Sequence, residues 1–158
     1  ALLKERVGST AAISTVAIVA LGTGMGIGRW YGGLVLKNLK LDTQLLSVIA
    51  MQFLGFLGFW LSHNMFVSLL CLFAVGLGIS MQFALSSIRL IGLSDGRPDL
   101  AIGRASLAAG TAIASAPFLL GILGDKFGIS RGYIMVFVLI AIAFVIVKTI
   151  PSKVHEAA

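Results

Sequence analysis

From Thr43 to Ile88 the chain runs for 46 residues without a single Asp, Glu, Lys or Arg. A helix needs roughly 20 apolar residues to cross the hydrocarbon core of a bilayer. The stretch is therefore long enough for two crossings, and Ser62-His63-Asn64 is its only polar break. Three shorter uncharged stretches follow the same logic: 22 residues (7–28), 20 (105–124) and 16 (132–147). Five helices are predicted, over about 9–31, 44–62, 66–88, 100–123 and 131–150. Residues 1–150 then form a transmembrane domain and 151–158 a tail. Pro98 and Asp99 suit the start of the fourth helix, and Pro151 stops the fifth. No alternating apolar and polar pattern of a membrane barrel occurs, so the predicted class is an all-α membrane protein. Composition agrees, with 58% hydrophobic and 11% charged residues, against about 25% charged in soluble domains. That excludes an ordinary soluble enzyme, a nucleic-acid-binding domain and a disordered tail.

Five crossings put the two ends of the chain on opposite sides. One side receives Lys4, Arg6, the 62–65 hairpin, Lys126 and Arg131, four basic residues in all. The other receives Arg29, Lys37, Lys40, Arg89, Arg97, Arg104, Lys148 and Lys153, eight in all. The positive-inside rule places the eight in the cytoplasm of a cell inner or plasma membrane, with the C-terminus inside. The chain begins with Ala, carries no signal peptide and starts on the far side, which predicts the C-terminal part of a longer protein.

The helix faces carry different information. The first helix has glycines at 22, 24, 26, 28, 32 and 33, and pairs four apart make a face that another backbone can approach closely. This is a packing seam or a helix built to rock. Arg29 at its cytoplasmic end is an interfacial anchor or a gate. On the third helix Gly78, Gln82, Ser86 and Arg89 form one stripe. An amide facing lipid would lose several kcal/mol of hydrogen bonding, so Gln82 should face the bundle interior or a water-filled cavity. It either joins two helices or touches a substrate. The fourth helix has a small-residue face (Gly103, Ser106, Gly110, Ala114, Pro117, Gly121) beside a polar one (Arg104, Ala108, Thr111, Ser115), and Pro117 should bend it. The fifth is apolar on every side from Ile134 to Val147, which predicts a peripheral helix touching lipid. The second is nearly as apolar, with Gln52 its exception.

Signs of enzymatic chemistry are weak. Gly92-Leu93-Ser94-Asp95-Gly96 matches the G-x-S-x-G pattern, which has meaning only on a strand-to-helix turn. His63 and His155 lie far from any second ligand, and Cys71 reads as a small hydrophobe within its span. No phosphate-binding glycine loop is present. The expectation is no enzyme, no cofactor and no metal.

Gly28-Arg29-Trp30-Tyr31-Gly32-Gly33 after the glycine-rich helix resembles the eighth-to-ninth helix loop of the major facilitator superfamily. Gly76-Leu77-Gly78-Ile79-Ser80 resembles that family's tenth helix. Gly110-Thr111-Ala112-Ile113-Ala114-Ser115-Ala116-Pro117 and Gly121-Ile122-Leu123-Gly124-Asp125-Lys126-Phe127-Gly128 resemble its eleventh helix and following loop, although Ala84 and its neighbours lack the proline often seen late in the tenth. The resemblance covers nearly the whole chain, as helices eight to twelve of a twelve-helix bundle. It implies a secondary active transporter that moves a small solute by alternating access and needs a missing N-terminal half as partner. The family's ninth and twelfth helices are peripheral, which matches the two most apolar spans. In that frame Gln82, Ser86, Thr111 and Ser115 are the substrate-cavity candidates, Arg29 and Arg104 gate candidates, and Asp125 an external loop anchor. No Asp, Glu or His falls within a predicted span, so proton coupling would come from the other half. A non-transporting polytopic scaffold or assembly subunit is the rival reading.

Overall fold

The structure, a computed structural model, describes residues 11–150. Lys4, Arg6 and Lys153, which enter the sidedness count, lie outside the described residues, as do positions 9–10 and the 151–158 tail with His155. The described chain is all helical: α1 (Ala11–Leu36), α2 (Leu41–Leu61), α3 (Met65–Gly92), α4 (Pro98–Phe127), the single turn α5 (Ile129–Gly132) and α6 (Ile134–Thr149). Among the described residues four segments are long and apolar enough to cross a membrane: α2, α3, α4 and the continuous α5–α6 stretch Ile129–Thr149. They mark the chain as a membrane protein. At about 1.5 Å per residue the 21 residues of α2 match the hydrocarbon thickness of about 30 Å. α1 has 26 residues but is not among the four. Past Leu21 it turns glycine-rich and carries Arg29.

Local signals explain where the helices begin and end. Asn64 caps α3, its side-chain oxygen accepting from the Phe66 N–H at 2.9 Å, which satisfies one of the first orphan donors. Pro98 opens α4, where its missing N–H costs nothing. Gly128, at φ 85°, ends α4 in a conformation open mainly to glycine. α2 starts at Leu41 rather than 44 and so takes Asp42 into its first turn, and α4 takes in both Asp99 and Asp125. These carboxylates stand in terminal turns of the helices, outside the predicted 44–62 and 100–123 spans. An acidic side chain in a first turn faces the positive end of the helix dipole, which favours the earlier start for Asp42 and Asp99.

α3 is the centre of the bundle. α1 lies parallel to it on one side and α2 antiparallel on another, and α6 packs antiparallel on α2. Glycine sets the close approaches. A Cβ added at Gly28 would sit 2.8 Å from the Leu77 carbonyl oxygen, and one at Gly78 would sit 2.9 Å from that of Val48. Gly24 meets the Phe73 carbonyl and Gly76 that of Leu21, so both sides of the α1–α3 contact are glycine against backbone. Gly22, Gly26 and Gly33 face open space, which settles which of the paired glycines form the seam.

Two expectations are corrected. α2 is not peripheral: with 39% of its span buried it is the most enclosed of the four, because α3 covers one side and α6 another. Two apolar clusters line it, one around Phe56 and Phe59, the other around Leu45, Val48, Ile49 and Val147. The small-residue face of α4 is not a seam here. Gly103, Gly110 and Gly121 have nothing within 4 Å, and Ala101 is the only buried residue of the helix. α4 continues through Pro117 as one helix of 30 residues. α6 agrees better with its predicted peripheral place, since Val147 is its one buried side chain.

Gly24→Ala and Gly28→Ala should each destabilise the purified protein in detergent by about 1–3 kcal/mol, the usual cost of overpacking. Gly22→Ala and Gly26→Ala should leave the thermal unfolding midpoint unchanged or raise it. Equal effects at all four positions would contradict the α1–α3 seam.

Candidate functional site

The polar groups of the bundle fall into two separate sets. The first gathers on α2, α3 and the end of α6. Arg89 in the last turn of α3 is 7% exposed. Its Nε donates to Asp42 Oδ1 at 3.0 Å, and one Nη donates to the carbonyl oxygens of Val147, at 3.2 Å, and Ile150. The last carbonyls of a helix have no intrahelical partner, and a cation there also meets the negative end of the dipole. A guanidinium suits the task because its planar fork donates in several directions at once, which an ammonium on a single flexible arm does not reproduce. Arg89 thus ties the start of α2, the end of α3 and the end of α6 together.

About two turns deeper, Gln52 Nε2 donates to Gln82 Oε1 at 2.6 Å. Gln52 is only 5% exposed, so this bond satisfies an amide with no access to water. Gln82, Ser86 and Arg89 line one cleft of about 230 Å³ whose other walls are apolar, among them Leu45, Ile49, Ala143 and Val147. The Gln82 side chain accepts from Gln52 and keeps its amide N–H groups for the cleft, and the Ser86 hydroxyl is exposed beside it. The cleft can therefore offer neutral hydrogen bonds next to a guanidinium already engaged by Asp42.

The second set lies on α4. Thr111 Oγ1 donates to the Leu107 carbonyl at 2.8 Å and Ser115 Oγ to that of Thr111 at 2.7 Å. Thr111 is exposed and Ser115 half-buried. Neither lines the cleft of Gln82 and Ser86, so the structure brings together two of the four predicted cavity residues and not the other two. Arg104 lines a separate cleft of about 310 Å³ with Asp95, Arg97 and Leu90 at the α3–α4 turn. Arg29 is exposed on α1 and Asp125 exposed near the end of α4, and neither joins an ion pair among the described residues. Ser94 of the G-x-S-x-G match donates to the Ile91 carbonyl in a helix-ending turn, with no strand among the described residues. Nor do three or more His, Cys, Asp or Glu side chains gather among them.

Comparison with protein-family models, with curated proteins and with solved structures finds no match to this chain. The arrangement is therefore read on its own geometry.

Sequence reasoning missed Asp42 and did not pair Gln52 with Gln82. A signal existed. Asp42 and Arg89 bound the 46-residue uncharged stretch at its two ends, and a two-span hairpin returns both ends to one side. Gln52 and Gln82 are the amides that lie well inside the two predicted spans, two to three turns from Asp42 and Arg89 respectively.

Arg89→Leu should destabilise the protein by about 3–5 kcal/mol, since it strands a carboxylate and two carbonyls. Asp42→Asn should cost less, and Arg89→Lys should recover only part of the loss. A double-mutant cycle between Gln52→Leu and Gln82→Leu should give a coupling of about 0.6 kcal/mol, the average for hydrogen bonds between membrane helices. No coupling in thermal or denaturant unfolding would remove the Gln52–Gln82 bond from the stability of the bundle.

Proposed function

We propose that the chain is the five-span C-terminal part of a secondary transporter, with α1 as the fifth crossing, which moves a small solute by alternating access. The observation that carries this reading is α4. It is a membrane-length helix with no buried residue in its apolar span, and it presents Arg104, Thr111 and Ser115 along one side. The Thr111 and Ser115 hydroxyls donate back to carbonyls of α4 itself, but lipid offers no partner to the Arg104 guanidinium, and no helix among the described residues covers this polar side. A water-filled pathway, walled on its other side by further helices of the same transporter, meets the requirement. Solute sites in such folds lie near the midplane between two halves that rock against each other. The order of motifs that resembles the major facilitator superfamily supports the same reading.

In this reading Thr111 and Ser115 face the pathway, and the Gln82–Ser86 cleft is reached from its α3 side. Arg104, beside Asp95, stands at the cytoplasmic mouth together with Arg29, and Asp125 stands in the last turn of α4 at the external side. The Arg89 clamp makes α2, α3 and α6 one body, which suits a half that moves as a unit. The membrane is a cell inner or plasma membrane with the C-terminus in the cytoplasm, following the basic residues. The non-transporting scaffold has one specific observation in its favour: Gln82 bonds to Gln52 and so acts at least partly in joining helices. The scaffold would cover α4 with a partner protein rather than with water.

The test uses the full-length protein in cells, with Cys71 replaced by Ala and single cysteines introduced. Thr111→Cys and Ser115→Cys should react with a small water-soluble thiol reagent, and Val138→Cys and Ile142→Cys on α6 should not. Reaction at Thr111 and Ser115 should inhibit uptake or efflux once a solute is found. If all four positions are inert, α4 does not line a pathway and the scaffold reading takes its place.

A further inference from the structure

Beside the polar cleft, α2 and α6 enclose a groove of about 390 Å³ that exposes no polar atom. Its shape follows from side-chain size. Ala50 on α2 and Ala141 on α6 leave room between larger neighbours, Phe53 and Leu54 on one helix and Phe144 and Val145 on the other. The helices are antiparallel, since Leu45 packs with Val147 at one end and Phe56 with Tyr133 at the other. Continued toward the Leu45–Val147 end, the α6 stripe of Ala141, Phe144 and Val145 reaches Lys148 at the next helical step. On the α2 side the same end carries Lys40, immediately before the helix, and Lys37 in the preceding loop. Leu36 and Leu41, which flank that loop, pack against the apolar cluster that includes Leu45 and Val147. Lys37, Lys40 and Lys148 are exposed, and none forms an ion pair among the described residues. Asp42, the acidic residue at this end of α2, is bonded to Arg89.

We infer that this groove is a binding site for one anionic phospholipid: an acyl chain lies between Ala50 and Ala141, and the phosphate sits at Lys40 and Lys148. An apolar trough opening on membrane-length helices calls for a chain, and exposed ammonium groups at the Leu45–Val147 end of the same two helices call for an anion. Basic residues at a membrane surface attract anionic headgroups, and long Lys side chains reach the interface from helix ends. A membrane lipid joins both features in one molecule, whereas a free anion would leave the groove empty. The site holds for a transporter and a scaffold alike, because it uses neither α4 nor the Gln82 cleft.

The test compares phosphatidylglycerol with phosphatidylcholine on the full-length protein in detergent micelles, with retained lipid counted by native mass spectrometry. Wild type should retain one phosphatidylglycerol in preference to phosphatidylcholine. Each of Lys40→Gln and Lys148→Gln should lower that preference about fivefold without changing the unfolding midpoint. Ala141→Leu, or Ala50→Val as a gentler filling of the same trough, should reduce retention of both lipids. A phosphatidylglycerol carrying a photoactivatable group in its acyl chain should crosslink to residues 49–54 and 140–145. The inference is overturned if the double lysine variant keeps the full preference, or if crosslinks spread evenly over α4 and the other exposed faces. It is also overturned if millimolar inorganic phosphate displaces the lipid as readily as phosphatidylglycerol does, since the anion alone would then be what the lysines hold.

Discussion

A guanidinium buried at the end of a membrane helix must find partners, because an unpaired charge in that setting is far more costly than any packing defect. Arg89 finds three on two other helices: the carboxylate of Asp42 and the carbonyls of Val147 and Ile150. Much of the arrangement of α2, α3 and α6 follows from that requirement. The start of α2 is drawn to the end of α3, and the last turn of α6 is placed over both. α6 itself offers no polar side chain between Ile134 and Val147, so its backbone carbonyls are the polar groups by which it can be fixed. At the opposite end aromatic packing does the corresponding work, with Phe137 meeting Phe56 at 4.9 Å and Trp60 at 5.1 Å between ring centroids.

Glycine supplies what the ion pair cannot, because lipid tails remove the hydrophobic reason for helices to associate. Close backbone approach gains dispersion contacts instead. Gly24 and Gly28 on α1 meet the backbone of Phe73 and Leu77 on α3, Gly76 on α3 meets that of Leu21, and Gly55 and Gly78 make the corresponding approaches between α2 and α3. These seams place α3 in the middle and explain why α2, although highly apolar, is enclosed. The Gln52–Gln82 bond lies inside the second seam, where Gly78 lets Gln52 come close enough to reach across.

α4 departs from this pattern, and the departure is informative. It has the small residues for a seam and the polar residues for a wet face, and the described chain uses neither. A bundle in which three elements are locked by Arg89 and the fourth stands apart is already divided into a body and an open wall. The lipid groove lies on the locked body, across α2 from α3, and is independent of what covers the wall.

The sequence by itself determined the membrane character, the helical class, the turn at Ser62–Asn64 and the start of α4 at Pro98. These depend on the length of uncharged runs and on local capping chemistry, which one strand of text records in full. It also marked Gln82, Ser86, Thr111 and Ser115 as polar groups that lipid would not satisfy. Only the tertiary structure decided how they are satisfied: Gln82 by Gln52 across a glycine seam, Thr111 and Ser115 by their own helix. Likewise it chose Gly24 and Gly28 over Gly22 and Gly26, and paired Arg89 with Asp42. The reason is that helical periodicity fixes which residues share a face but not which neighbour that face meets. That choice rests on the closeness of two backbones and on the end to which a hairpin returns its charges.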